Sequence, residues 1–287
     1  MSAAPNTFST TNTDGGAPPQ PPERLCKLPV FRPVAVRLMS ELAREDPPLS
    51  KIRDLLSSDP GFSAEILTMA NSAYYARQTR VDTIHRAVMV LGLERTRSLA
   101  AAVALQGMIK GVSAKSSVQD SWQHSRATAI IAAKLAPCCN LSREQAYTSG
   151  LMHDIGRLGL LAAYPEYPVL LEQAAGSVDD LLRKERSAFN VDHCQAGLWL
   201  TRIWGLPQEF WDITADHHTP LLGPPEDRVG LTRLACAFAD ALGFRAAQRI
   251  EPVPPDRLME FVPQKGGRPS VTPEDLLAHV REELSKM

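Results

Sequence analysis

Along most of the chain apolar residues return every three or four positions, the spacing of one face of an α-helix. Phe62, Ile66, Met69, Ala70 and Ala73 share such a face behind Asp59-Pro60, a capping residue followed by proline at the first helical position. Ile84, Val88 and Leu91 form the next stripe, which Gly92 stops, and another helix runs from Leu93 through the alanines at 100–104. Ser142 and Gln145 have the spacing of a capping box ahead of a further helix. Leu231, Leu234, Ala235, Phe238 and Leu242 mark one more stripe. Strand-like alternation is scarce, and neither an internal repeat nor a heptad pattern is present. The pattern predicts an all-α fold.

Two stretches break the pattern. Residues 1–24 are rich in Ser, Thr, Pro, Gly and Ala with almost no large apolar side chain, too little to offset the entropy of ordering, which predicts a disordered tail. Glu251 to Pro273 carries six prolines and a Gly-Gly and reads as a linker. Thr272-Pro273-Glu274-Asp275 then opens a short terminal helix with Leu276, Leu277, Val280 and Leu284 on one face.

Composition adds limits. A length of 287 residues, 44% hydrophobic, suits one large or two small globular domains. Lysine and arginine number 31 against 32 acids, a net charge of −1, so no global field draws the chain to nucleic acid or an anionic membrane. No apolar run approaches the roughly 18–20 residues of a membrane span, and the first residues lack the regions of a signal peptide; the expected location is the cytoplasm. The five cysteines include no CxxC pair, and Cys138 and Cys139 are neighbours; they are expected to be reduced thiols packed as small apolar side chains.

The histidines carry the chemistry. His124 lies in Ser-Trp-Gln-His-Ser, His153-Asp154 ends the helix capped at Ser142, His193 opens the helix running to Trp204, and His217-His218 closes the helix from Pro207. Asp240 sits between Ala237, Phe238, Ala239, Ala241 and Leu242, where a lone ionised carboxylate would be costly and a metal, a histidine or an N-cap is needed as partner. Imidazole nitrogen with carboxylate oxygen suits divalent ions such as Mn, Fe, Ni or Zn. Consecutive helical residues point about 100° apart, so His153 and Asp154, like His217 and His218, can face one ion mainly where a helix ends and the backbone turns. Taken singly, each residue also has an ordinary structural reading, the paired histidines as partners of a helix dipole among them.

The segments Leu28-Pro29 to Leu42, Ser58-Asp59-Pro60 to Asn71-Ser72-Ala73-Tyr74-Tyr75, and Ala87 to Leu91-Gly92-Leu93 resemble the N-terminal half of HDOD (HD-related output) domains, and Gly150-Leu151-Met152-His153-Asp154-Ile155-Gly156-Arg157 resembles that family's version of the HD signature. The resemblance covers residues 25–245. It implies a small N-terminal helical lobe (25–112) packed on an HD-like bundle (113–245), flanked by the tail (1–24) and by the proline-rich linker and short helix (246–287). It also implies a ligand set. His124, His153-Asp154 and Asp240 follow the HD pattern, while His193, His217 and His218 resemble the added histidines of HD-GYP phosphodiesterases, with Asp154 bridging two ions and Asp120 one turn before His124. Two features depart from the relatives. Arg157 replaces the usual lysine, and the GYP motif is absent after His217-His218.

The resemblance therefore supports a bacterial signal-transduction output protein that binds a signalling protein or a nucleotide second messenger, with no membrane and no indicated nucleic-acid partner. The alternative is a metal-dependent phosphohydrolase or phosphodiesterase acting on a nucleotide or cyclic nucleotide, with Asp154 and Arg157 as the catalytic candidates and one or two ions of Fe, Mn, Ni, Zn or Mg as cofactor. A third reading makes any metal structural, although structural zinc favours cysteines.

Overall fold

The computed structural model describes residues 20–28, 32–44, 46–72, 82–109, 112, 115–263 and 271–286. Most of the expected tail, residues 73–75 of the Asn-Ser-Ala-Tyr-Tyr segment, much of the expected lobe boundary near Gly111–Ser117, and 264–270 of the linker lie outside them. The described chain is helical almost throughout, as the apolar spacing predicts. It opens with α1 (Glu23–Cys26), α2 (Pro33–Leu42), α3 (Leu49–Ser57) and α4 (Pro60–Ala70). Asp59 caps α4 by accepting from the Phe62 N–H at 2.9 Å, so that Phe62, Ile66 and Ala70 turn inward.

Helix α5 (Ile84–Ile109) is interrupted at Gly92, whose φ of 77° is reached without strain only by a residue lacking Cβ. The break turns the chain between the stripe ending at Leu91 and the run Leu99–Leu105, in which every residue is buried. A helix buried all round needs neighbours on both sides. The α5 helix packs on α2, α3 and α4 and, across its other face, on the helices that follow.

Those helices are α6 (Lys115–Leu135), α7 (Arg143–Met152), α8 (Ile155–Ala163), α9 (Tyr167–Gln173), α10 (Val178–Phe189), α11 (His193–Ile203), α12 (Glu209–Asp216) and α13 (Arg228–Ala241). Ser142 caps α7 by accepting from the Gln145 N–H. Full capping boxes form ahead of α10 (Ser177 with Asp180) and α11 (Asp192 with Gln195). Two close approaches set the site. A Cβ on Gly150 of α7 would stand 2.7 Å from Ala129 Cα of α6, and one on Gly156 of α8 would collide with the His193 carbonyl and the Gly197 backbone of α11. Only glycine lets α7 and α8 lie so close to their neighbours.

One pairing escapes the sequence pattern. Two-residue strands β1 (Ala175–Gly176) and β2 (Arg249–Ile250) run parallel, with Ala175 opposite Arg249 and Gly176 opposite Ile250, and the Glu251 N–H donates to the Gly176 carbonyl at 2.9 Å. They fasten the start of α10 to the segment after α13. Short α14 (Pro255–Met259) and the terminal α15 (Pro273–Ser285) complete the described chain. Thr272 and Asp275 form the capping box of α15, and its buried Leu276 and Val280 join the core beside α6. No helix among the described residues is long and apolar enough to cross a membrane.

Candidate metal centre

All seven sequence-predicted ligands converge at one place, and helix ends are the reason. His153 is the C-cap of α7, and Asp154, at φ −104° and ψ 26°, makes the turn into α8, so two consecutive residues face the same interior. His217 is the C-cap of α12 with His218 beside it, and His193 is the first residue of α11, behind its cap Asp192. His124 comes from the middle of α6 and Asp240 from the last turn of α13. Asp120, one turn before His124, is half-buried and falls in neither histidine group.

The first group is His124, His153 and Cys236, whose ligand atoms all lie within 4.8 Å of one another. His153 Nδ1 lies 2.6 Å from the Gly150 carbonyl and His124 Nδ1 2.8 Å from the Phe244 carbonyl. A carbonyl only accepts, so both Nδ1 atoms carry the proton and both Nε2 atoms present lone pairs. Those two Nε2 atoms face each other at 3.2 Å, with Cys236 Sγ 3.5 Å from the nearer one. Asp240 Oδ1 stands 3.3 Å from His124 Nδ1, the partner its apolar helix called for, and its side chain keeps 22% exposure. Burial pushes the His153 imidazole down to about 3 and the Cys236 thiol and Asp240 carboxyl upward, so the His153 ring does not readily take a proton to relieve the facing lone pairs.

The second group is His193, His217 and His218, again within 4.8 Å. It adjoins the first, the His153 and His217 ring centres being 4.9 Å apart. His217 Nδ1 donates to the Thr214 carbonyl at 2.9 Å and its Nε2 lies 3.9 Å from Cys194 Sγ. His193 Nδ1 lies 2.7 Å from Glu185 Oε2, which also accepts the His193 backbone N–H at 2.9 Å. Burial holds His217 and His218 well below the ordinary histidine range, and His218 Nε2 is buried without a hydrogen-bond partner.

Arg157 enters this second group. Its Nε donates to Asp154 Oδ2 at 2.5 Å and its Nη2 reaches His193 Nε2 at 3.0 Å, while Nη1 lies 3.5 Å from the Tyr167 hydroxyl and 3.9 Å from Glu185 Oε1. Tyr167 in turn donates to Glu185 Oε1 at 2.5 Å. Burial alone would raise the Asp154 carboxyl; the Arg157 charge, then His193, outweighs it and holds Asp154 below the usual carboxylate range. Glu185 is lowered in the same way, burial being overcome by His193. Asp154 Oδ1 remains buried with no hydrogen-bond partner, 3.9 Å from His193 Nε2.

Four of the five imidazoles thus have Nδ1 fixed by an acceptor and Nε2 turned inward, the outer support that metal-binding histidines use. With two nitrogens, a thiol and an unpartnered carboxylate oxygen nearby, the donor set fits a divalent ion. Glu185, Tyr167, Cys194 and Cys236 are absent from the sequence-derived set. The expectation that the thiols only fill space is too narrow for Cys236 and Cys194: all five cysteines are free, but these two lie against histidines. Cys236 had one available signal, its place one turn before Asp240. Above the cluster a cavity of about 20 Å³ reaches His124, Arg157, His218 and Asp240, and Val178, Leu181 and Ile250 roof it. That is room for about one water molecule.

Comparison with known proteins bears on the fold and the family. The profile of the HDOD domain family matches residues 28–220. An HDOD domain protein of unknown function from Geobacter sulfurreducens is 21% identical with a TM-score of 0.71, covering 90% of each chain. A proposed signal transduction protein from Marinobacter aquaeolei is 21% identical at a TM-score of 0.67, covering 91% of this chain and 57% of that one. A proposed metal-dependent phosphohydrolase from Shewanella amazonensis is 22% identical at 0.58, covering 89% and 92%. At these identities the structures show the shared fold. An uncharacterized protein of Treponema pallidum is 24% identical over 219 residues, which are 75% of this chain; the chain spans 42% of that curated relative's length.

Proposed function

The chain belongs to the HDOD domain family, and on that premise we propose that it is a bacterial signal-transduction output protein that works in the cytoplasm by binding a signalling partner, not by turning over a substrate. The observation that carries this reading is the state of the HD-like site. Its cavity of about 20 Å³ admits no nucleotide, and the guanidinium that could clamp a substrate phosphate is already engaged by Asp154 and His193. A protein partner can dock on the closed domain, whereas a nucleotide would first have to displace the roof of α10 and β2. A divalent ion held by the histidine groups would supply charge to fix the helix ends around it, and Lewis acidity if substrate could reach it.

The second reading, a metal-dependent phosphohydrolase, is favoured by one specific observation: Asp154 Oδ1 is buried, unpartnered and 3.9 Å from His193 Nε2. The deciding experiment incubates the full chain, loaded in turn with Zn, Mn and Fe(II), with bis(p-nitrophenyl) phosphate and a panel of cyclic nucleotides and cyclic dinucleotides. No turnover above buffer is expected. Turnover that Asp154→Ala abolishes while the far-UV spectrum stays native would replace the binding reading with the hydrolase one.

A further inference from the structure

The two histidine groups offer similar nitrogens and differ in what stands beside them. In the first, the neighbour is a thiol: Cys236 Sγ lies 3.5 Å from His124 Nε2, and the two Nε2 lone pairs oppose each other at 3.2 Å with no ring hydrogen between them. Repulsion of that kind is relieved by a cation between the donors. In the second, the neighbour is already a cation. The Arg157 guanidinium is buried, donates to the Asp154 carboxylate and occupies the His193 Nε2 lone pair that would otherwise coordinate.

We infer that the site takes one metal ion, held by His124, His153 and the thiolate of Cys236, and that Arg157 is a tethered cation standing in for a second ion among Asp154, His193, His217 and His218. The inference does not depend on whether the protein binds or hydrolyses. Two physical arguments support it. A dication added to the second group would share Asp154 and His193 with a guanidinium that does not deprotonate, and like charges at such separations repel strongly in a buried site. Arg157 also has no easy exit, since Asp154, Tyr167 and Glu185 hold three sides of its planar fork. In the first group, a thiolate beside two imidazoles favours zinc over magnesium or manganese, which prefer oxygen. Ion binding there displaces the Cys236 S–H proton to solvent, leaving sulfur as an anionic ligand.

The test uses the full chain prepared without an affinity metal and titrated with Zn(II) or Co(II). Elemental analysis of the dialysed protein should give about one ion per chain, and the Co(II) form should show a near-ultraviolet thiolate-to-cobalt band that Cys236→Ser removes. Arg157→Met should raise the count from about one to about two. Arg157→Lys, which keeps a positive charge, should leave it at one. Because Arg157→Met strands Asp154 and Glu185 and could fail to fold, the wild-type count and the cobalt band decide by themselves. Two ions or none in the wild type, or a cobalt form without the thiolate band, would overturn the inference. None of these readouts changes if turnover is later found, so failure here and failure of the binding reading are separate results.

Discussion

The cysteine half and the arginine half of the histidine cluster lie side by side, yet they keep their charges in different ways. Around His193, the buried charges answer one another, although Asp154 Oδ1 and His218 Nε2 keep no hydrogen-bond partner. Glu185, fully buried, accepts from His193 and Tyr167, and Arg157 answers both carboxylates. Around His124, the nitrogens face each other, and the carboxylate, Asp240, is partly open to water. The first arrangement carries its own cation in Arg157. The second carries none, and on the inference above an ion completes it.

This contrast sets the size of mutational effects. Glu185→Ala leaves Arg157 with a single buried carboxylate and His193 without its support, and should cost about 3–5 kcal/mol in denaturant unfolding. Asp240→Ala should cost far less, because its side chain touches solvent and His124 Nδ1 keeps the Phe244 carbonyl. Equal losses would erase the distinction between the halves.

Acid should act next. His153, His217 and His218 are all lowered by burial, so between about pH 6.5 and the folded value the unfolded chain binds protons that the native state refuses. Stability of the metal-free protein is therefore lost as pH falls below about 6.5. Asp154 and Glu185, also lowered, keep their contribution above the ordinary carboxylate range and lose it as pH falls further, while Asp240, raised, moves the opposite way. The melting temperature should drop steadily from about pH 7 to 5. Two of the three histidines belong to the arginine half, so His217→Gln with His218→Gln should flatten the profile more than His153→Gln. A flat wild-type profile would contradict the buried neutral imidazoles. The smallest effect belongs to Cys236→Ala in metal-free protein, about 1 kcal/mol for one buried sulfur. A loss several times larger by chemical denaturation would mean that the thiol supports the fold without an ion.

Local rules made much of this fold legible. Asp59 before Pro60, Gly92 at the end of a stripe and Ser142 three residues before Gln145 each act within one helical turn, so sequence distance and spatial distance coincide. The convergence of the candidate residues was legible for a related reason: His153-Asp154 and His217-His218 lie where helices stop. Glu185 was not legible. It stands in Arg183-Lys184-Glu185-Arg186, which has the composition of a solvated face, and only the packing of α10 turns it fully inward towards Tyr167 and Arg157. Cys236 was hidden because a cysteine in an apolar helix is indistinguishable from filler until His124 is placed opposite it. The β1–β2 pair lacked a pattern altogether, since two residues are too few for alternation to show.

That pair has a kinetic meaning. Elements this short have little stability of their own, and regions held by few buried contacts open locally long before the whole domain unfolds. The fastening between Gly176 and Glu251 joins the Ile250 side of the roof over the histidines to the start of α10, whose far end Glu185 anchors. A small solute that enters the interior by this side would then pass through a brief local opening, and its residence would follow how often the fastening lets go.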